Sequence, residues 1–224
     1  MSPNIRNRDK ILTILLVFLL APLTAHAARP KQNPIPQALL QLEKSYVKAS
    51  TVSAKFVQVN DIAATALKKT SDGYLTLQRP DRFRWETLKP DKNLLVSDGK
   101  TFWFYTPPFD ETEKGQVVVR RKSQVNSKMA SLLLSGNFSA AKKLRFITVS
   151  EKEFDLKPIG KSAEGIRIMH LTLADDGKTI QKVILEHQGG NKTEITLSEV
   201  VLGLKLDPGT FNFAPPPGTD VVKE

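Results

Sequence analysis

The chain has 224 residues, no cysteine and a formal net charge of +10. Because the chain has no cysteine, we expect neither disulfide bonds nor a lipid anchor attached through an N-terminal cysteine. The positive charge leaves nucleic acid, an anionic membrane surface and acidic proteins as possible binding targets.

The N-terminus has the three parts of a secretory signal. Three basic residues precede an apolar run at 11–20, and Ala25-His26-Ala27 follows as a small-x-small cleavage site. The apolar run is much shorter than the ~20 residues that span a bilayer, although an uncleaved anchor is the alternative. We therefore expect a cleaved signal peptide at 1–27 and a single soluble domain at 28–224. That mature chain has 197 residues, of which 30 are basic and 22 acidic.

Export from the cytoplasm disfavours a nucleic-acid partner, and no basic helix or nucleic-acid motif occurs. Basic residues cluster at 120–122 and at 142–145. Such clusters form either a solvated face or a surface that steers the protein towards a membrane or a partner. The sequence leaves both interpretations open.

The first element of the mature chain is a predicted helix over 36–49. Its apolar residues Leu39, Leu42 and Tyr46 recur at helical spacing, so one face of the helix should cover apolar surface. The period then changes to two, which predicts a strand over 52–60. Residues 61–71 are predicted to be a turn or a loosened hairpin.

The next strand, 73–79, places Arg79 on the same face as Leu75 and Leu77. A guanidinium on an apolar face requires hydrogen-bond acceptors for its five donors. After Pro80, the aromatic residues Phe83 and Trp85 again share one face. The segment therefore indicates an apolar surface with one polar side chain. The alternative is an edge strand whose arginine reaches water.

The remaining elements predict a large antiparallel sheet. A hairpin turn is expected at Asp98-Gly99, and a short helix over 127–134 carries Met129, Leu132 and Leu133. Residues 139–143 are expected to add a helical turn. The further predicted strands are 83–87, 93–97, 101–105, 116–120, 144–149, 153–158, 165–173, 180–187 and 193–202. Long serial strands joined by tight turns favour a sheet that curls, with the helical pieces covering its concave side and an apolar cavity between them.

Residues for catalysis or metal binding are not apparent. His170 and His187 fall in predicted strands without a carboxylate or cysteine at metal-ligand spacing, and no nucleophile, base and orienting group can be assembled. We therefore expect a binding protein rather than an enzyme, with no cofactor and no metal.

Two blocks of residues resemble the family of periplasmic outer-membrane lipoprotein carriers, LolA. The first block runs from Gly73 to Tyr105 and includes Arg79-Pro80, Phe83-x-Trp85 and the segment 95–105; the second is the tail 211–221. The resemblance implies an incomplete antiparallel β-barrel, mainly β with a helical lid, which encloses a hydrophobic cavity. Residues 61–71 and 107–125 do not align clearly with the family pattern.

The resemblance also implies a function. Such a carrier takes acylated lipoproteins from an inner-membrane ABC transporter and delivers them to an outer-membrane receptor, as a monomer in the periplasm of a Gram-negative bacterium. Arg79 matches the family arginine that bonds the lid, and Phe83 matches an aromatic residue needed for delivery. Candidate residues for the cavity and lid are predicted from the apolar faces, with plain core packing as the alternative: Leu75, Leu77, Phe83, Trp85, Met129, Leu132 and Leu133.

Two other functions remain open at this stage. A related envelope module could bind lipid or sense stress and regulate a signalling partner, although such proteins usually add a second domain. An enzyme acting on envelope lipids is disfavoured by the missing catalytic residues. The sequence does not identify which lipoproteins or lipids would be carried.

Overall fold

A computed structural model describes residues 34–110, 112–121, 136–160 and 165–223. One α-helix, α1 (Gln37–Ala49), and a 3₁₀ helix (Phe138–Ala140) accompany twelve strands in this part of the chain. The strands are β1 (Thr51–Ile62), β2 (Leu67–Gln78), β3 (Arg82–Lys89), β4 (Asn93–Asp98), β5 (Thr101–Thr106), β6 (Gln116–Arg121), β7 (Leu144–Thr148), β8 (Glu153–Pro158), β9 (Ile166–Leu173), β10 (Ile180–His187), β11 (Lys192–Leu202) and β12 (Asp220–Lys223).

The twelve strands form a single sheet in the order β12-β6-β5-β4-β3-β2-β1-β11-β10-β9-β8-β7. All neighbours are antiparallel except the pair of β12 and β6. Leu77 of β2 and Phe146 of β7 belong to one hydrophobic core although six strand spacings separate them, a distance of about 29 Å in a flat sheet. The sheet is therefore curled, and because β12 and β7 remain edges it is not closed. The predicted fold class, a mainly β protein with a strongly curled and unclosed sheet, is confirmed. Of the predicted helical lid, the described residues contain α1 and the 3₁₀ helix.

The helix α1 forms where its apolar periodicity predicted. Leu39, Leu42 and Tyr46 are buried on its core-facing side. It ends at Ser50, which adopts a left-handed conformation with φ of 60° and donates its backbone N–H to the Tyr46 carbonyl at 3.0 Å. This turn directs the chain straight into β1.

Residues 61–71, predicted to be a turn or a loosened hairpin, form a regular hairpin. The hairpin ladder extends to Ile62 and resumes at Leu67, which leaves a turn of only 63–66. Residues 67–70 are exposed on both faces, so their side chains show no alternation of apolar and polar residues. Backbone pairing, aided by an ion pair of 3.8 Å between Lys68 and Asp61, sets the strand there.

Other turns and helices agree with the sequence in part. The hairpin at Asp98-Gly99 is confirmed, with φ of 92° at Gly99 and the Asp98 carboxylate accepting from the N–H groups of Lys100 and Thr101 at 2.8 and 2.7 Å. Of the helical turn predicted at 139–143, only a 3₁₀ helix at Phe138–Ala140 forms.

The predicted helix 127–134 lies outside the described residues. No helix in the described ranges is long and apolar enough to cross a membrane.

The C-terminal tail packs on the convex face of the sheet. The Phe213 ring lies 6.4 Å from the Trp103 ring and 5.4 Å from the Tyr105 ring, between centroids. Val96 and Val117, whose side chains point to this face, are fully buried. The tail then adds β12 beside β6, a four-residue strand that the sequence did not predict because its exposed residues carry no periodic pattern.

Candidate functional site

The concave face of the sheet carries two cross-strand rows of side chains, all apolar except Ser97. Residues directly opposite each other in antiparallel strands point to the same side, so pairing partners identify the face. One row runs across four strands as Leu75, Trp85, Leu95 and Phe104, and the next as Leu77, Phe83, Ser97 and Phe102. Leu75 and Leu77 belong to the hydrophobic core that includes α1, which fixes this side as the inner one.

The inner face is filled with packed side chains at β1 and β2. Phe56 is 1% exposed, Leu75 is 2% and Leu77 is 6%, and all three share the core with Leu42 of α1. The Phe56 ring packs on Trp85, with 4.1 Å between ring centroids and an interplanar angle of 34°. This end of the face is ordinary protein interior.

Gly73 lets the backbones of β2 and β3 approach each other next to this core. It lies opposite Phe56 in the β1 register and beside a register shift in the pairing of β2 with β3. A Cβ at this position would lie 1.8 Å from the Glu86 carbonyl oxygen, closer than any real contact. The glycine that opens the family-like block is therefore required by close approach of the chains rather than by a positive φ.

The same face remains partly accessible over β3 to β6. We call this region the aromatic face and define it as Phe83, Trp85, Leu95, Phe102, Phe104 and Val118. Phe83 and Phe102 contact each other at 5.5 Å between centroids, and Phe104 is 44% exposed. The other members are partly buried. Six apolar side chains thus lie side by side on four strands at the surface of a concave face.

Polar contacts hold the helical cover of the core together. The Glu43 carboxylate of α1 accepts from the Ser139 N–H at 3.0 Å and from its hydroxyl at 2.7 Å. Tyr46 accepts from the Ile180 N–H at 3.3 Å through its hydroxyl oxygen, and burial raises the pKa of Tyr46 to about 12. Gly136 lies against the Tyr46 ring, where a Cβ would be 2.9 Å from Cδ2. The helix α1 and the 3₁₀ segment therefore form one cover joined to the sheet.

Arg79 lies at the junction of this cover and the sheet. The strand β2 ends at Gln78, one residue earlier than predicted. The Arg79 N–H donates to the carbonyl of Ser50 at 2.8 Å, and Ser50 is the residue that ends α1. The arginine is thus attached through its backbone to the point where the helix passes into β1.

The structure brings together four of the seven residues predicted for the cavity and lid. Leu75 and Leu77 lie in the core, and Phe83 and Trp85 lie on the aromatic face. Met129, Leu132 and Leu133 lie outside the described residues. Sequence reasoning missed Leu95, Phe102, Phe104 and Val118. The Asp98-Gly99 hairpin could have identified three of them, because its register sets Phe104 opposite Leu95 and Phe102 opposite Ser97.

The opposite face of the second half of the sheet is polar. The Nδ1 atom of His170 lies 2.7 Å from an Asp155 carboxylate oxygen, and its Nε2 atom lies 3.7 Å from Glu186. A hydrogen bond from Lys192 is the main cause that holds the pKa of Glu186 below its usual value. His170, Asp155 and Lys182 also line a groove of about 630 Å³ on this face. These charges make the groove unlike the aromatic face and unsuited to acyl chains.

Comparisons with known proteins agree with the fold and identify the family. Residues 47–214 match the family model described as "Outer membrane lipoprotein carrier protein LolA". An outer-membrane lipoprotein carrier protein of Azotobacter vinelandii is 34% identical, over 94% of this chain and 99% of that protein. One from Dechloromonas aromatica is 32% identical, over 92% of this chain and 93% of its own length.

Among solved structures, a conserved protein of Thermus thermophilus shares the fold. It has a TM-score of 0.51 and 18% identity, and the match covers 84% of this chain and 97% of that one. The family match extends from the end of α1 to the tail on the convex face, so it includes strands β1 to β11 and every residue of the aromatic face. The chain belongs to the LolA family of outer-membrane lipoprotein carrier proteins.

Proposed function

We propose that this protein carries acylated lipoproteins through the periplasm and holds their acyl chains against the aromatic face. The observation that carries this proposal is the contrast along one concave face. Phe56 is 1% exposed under α1, whereas Phe104 is 44% exposed on the same side of the sheet. An apolar surface that stays accessible to solvent beside a packed core favours a nonpolar ligand.

The energetics require a surface of this kind. A triacylated protein carries about 45 methylenes, and each is worth ~0.8 kcal/mol when it leaves water. A carrier must therefore offer enough apolar area to keep the chains from water, yet release them to the next partner. Aromatic rings on rigid strands offer area at little cost in conformational entropy, since they have few rotatable bonds.

The predicted site residues have distinct roles in this proposal. Phe83 and Trp85 contact acyl chains directly, together with the rest of the aromatic face. Leu75 and Leu77 extend that surface when the cover over the core moves, and Met129, Leu132 and Leu133 belong to the lid. We assign the latch of the lid to the Arg79 guanidinium, because the backbone bond to Ser50 places this residue where α1 passes into β1.

For the setting of the carrier we propose the following, which the sequence and the family support. Residues 1–27 direct export and are removed, and 28–224 form a single domain. The cargo is loaded by an inner-membrane ABC transporter and delivered to an outer-membrane receptor. Carriage requires only binding and release, so the protein acts without catalysis.

A competition experiment tests the proposal. The mature protein should bind a bis-anilino-naphthalene sulfonate dye at a saturable site, and a triacylated lipopeptide should displace it. Phe104→Glu should weaken lipopeptide binding by tenfold or more, because a carboxylate would have to be desolvated beside the acyl chains.

Tyr74→Glu provides a matched control. Tyr74 is 48% exposed, close to the 44% of Phe104, but lies on the convex face because it alternates with Leu75. If both variants bind lipopeptide like the parent, acyl chains do not use the aromatic face. If lipopeptide binds but purified receptor never accepts cargo, the lipid-sensing module becomes the better description.

A further inference from the structure

Phe109 is by far the most exposed large apolar side chain in the described ranges. It lies in the loop between β5 and β6 and is 87% exposed, whereas the other exposed large apolar residues range from 39 to 58%. A single exposed leucine or valine is common on a soluble protein. A phenylalanine almost wholly in water is different, because its ring is large. Among the described residues, no other large apolar side chain exposes as much of its area.

Hydrogen bonds within the loop hold Phe109 in place. One Asp110 carboxylate oxygen accepts from the Thr112 N–H at 2.8 Å and from its hydroxyl at 2.6 Å. The Phe109 N–H donates to the Glu113 carboxylate at 3.3 Å, and the preceding residues are Pro107 and Pro108, whose rings restrict φ. The backbone of Phe109 is thus held by the prolines before it and by the bond to Glu113 after it, which reduces the entropy lost on binding.

The base of the loop is fixed to the sheet. A Cβ on Gly115 would lie 3.0 Å from the Tyr105 ring and 3.3 Å from Pro108, so the loop closes tightly over this tyrosine. The Gly115 carbonyl accepts from the Asp220 N–H at 2.8 Å, which joins the loop to the start of β12. The tip that carries Phe109 is therefore supported by β5, β6 and β12 together.

The surroundings of Phe109 are acidic on a basic protein. Asp110 and Glu113 flank the ring, and the nearby Lys114 lies 3.8 Å from Asp220, an acidic group that offsets its charge. The bonds from Thr112 lower the pKa of Asp110, so this carboxylate stays ionised at neutral pH. Negative charge next to an apolar group opposes insertion into an anionic membrane and favours a partner surface with basic residues.

We propose that Phe109 is a docking residue for a protein partner, which receives the ring in an apolar pocket bordered by lysine or arginine. A rigid aromatic anchor ringed by charge has the form of an interface hot spot. The proposal is independent of where acyl chains bind, since Phe109 is not part of the aromatic face.

Site-specific photocrosslinking tests the proposal in cells. The photoreactive residue p-benzoylphenylalanine at position 109 should give one predominant protein adduct. Mass spectrometry of the crosslinked peptide should place apolar residues flanked by lysine or arginine at the contact. The same residue at position 67, where Leu67 is 57% exposed in the β1–β2 turn region, should not give this adduct.

Binding measurements with the purified partner then separate the contribution of the Phe109 ring from that of the neighbouring charges. Phe109→Ala should weaken binding about 30-fold, as truncation of a hot-spot residue does, and Phe109→Trp should restore most of it. The double variant Asp110→Asn with Glu113→Gln keeps acceptor oxygens for the loop bonds and removes both charges. It should weaken binding roughly fivefold and reduce its dependence on salt.

Several results would overturn the docking role. These are the absence of a protein adduct, an adduct only to a second copy of this chain, and cosedimentation with phosphatidylethanolamine–phosphatidylglycerol vesicles that requires Phe109. Equal partner binding by Phe109→Ala and the parent would do the same. Lipopeptide displacement of dye should be normal in every Phe109 variant, which shows that each is folded and keeps this test apart from that of the carrier function.

Discussion

The two ends of the concave face use the same kinds of residues for different purposes. Over β1 and β2 the apolar side chains lie beneath α1 and form the core, as Phe56 and Leu75 do. Over β4 and β5 similar side chains on the same face remain partly accessible, as Leu95 and Phe104 do. The strands do not differ in pattern, so the helical cover decides which end is interior and which is surface.

This contrast explains how one sheet can combine stability with binding. The covered end supplies buried apolar area and fixes the curl of the sheet. The accessible end lies on neighbouring strands of the same sheet, so its apolar surface is rigid. Substitutions at the covered end should therefore change the free energy of unfolding, and those at the accessible end should change ligand binding. Each of the following predictions tests one side of that division.

The largest effect on stability is expected from truncating the covered aromatic ring. Phe56→Ala should lower the free energy of unfolding by about 3–5 kcal/mol, because it removes a buried ring from a packed site. Phe104→Ala, its counterpart at the accessible end, should lower it by less than about 1 kcal/mol. Urea unfolding followed by circular dichroism measures both, and equal losses would show that the two ends are alike.

Tyr46 makes the stability of the covered end sensitive to alkali. Its pKa is raised from 10.0 to about 12, so the folded state holds the phenol proton more tightly than the unfolded chain does. The resulting contribution to the free energy of unfolding is fully present below pH 10 and is lost as the pH rises towards 12. It amounts to about 1.4 kcal/mol per unit of pKa difference.

Tyr46→Phe tests the origin of that dependence. The variant loses the bond from the Ile180 N–H, so its free energy of unfolding at neutral pH should be about 1 kcal/mol lower. Between pH 10 and 12 its free energy of unfolding should fall less steeply than that of the parent. Unfolding curves at several pH values provide the comparison. An unchanged alkaline slope would assign the loss to another group.

Arg79 should affect movement of the cover rather than affinity for cargo. Arg79→Leu keeps the backbone bond to Ser50 and removes only the proposed guanidinium latch. The variant should load lipoprotein normally and transfer it to purified receptor about tenfold more slowly, since a hydrogen bond from a charged side chain is worth ~1.5–3 kcal/mol. Arg82→Leu is the control, because this nearby arginine is exposed and precedes the inward-facing Phe83. Equal transfer by both variants would remove Arg79 from the mechanism.

The smallest effect is expected where the two parts of the cover meet. Glu43→Ala removes both exposed contacts to Ser139 and should cost about 0.5–1 kcal/mol of stability. Dye binding at the accessible end should not change, because Glu43 bonds to Ser139 in the cover, whereas the aromatic face lies on β3 to β6. A loss above about 2 kcal/mol would mean that the cover depends on this polar contact more than on its apolar stripe.

Local patterns in the chain were sufficient for several elements. The stripe of Leu39, Leu42 and Tyr46 placed α1, and Asp98-Gly99 placed a hairpin. Alternation put Leu75 and Leu77 on one face, and Phe83 and Trp85 together on one face. Each of these features depends on residues within a few positions of one another, where periodicity and turn conformation act directly.

The sequence by itself thus determined α1, most of the strands, the turn at Gly99 and the apolar faces of the strands. Tertiary structure alone decided which parts of those faces are covered, that Arg79 is bonded to the end of α1, and that the tail returns to form β12 beside β6. These outcomes depend on contacts between residues far apart in the chain, such as Glu43 with Ser139 or Tyr46 with Ile180. Periodicity reports which side of a strand is apolar, but only the packing of distant segments determines whether that side meets protein or remains available to a ligand.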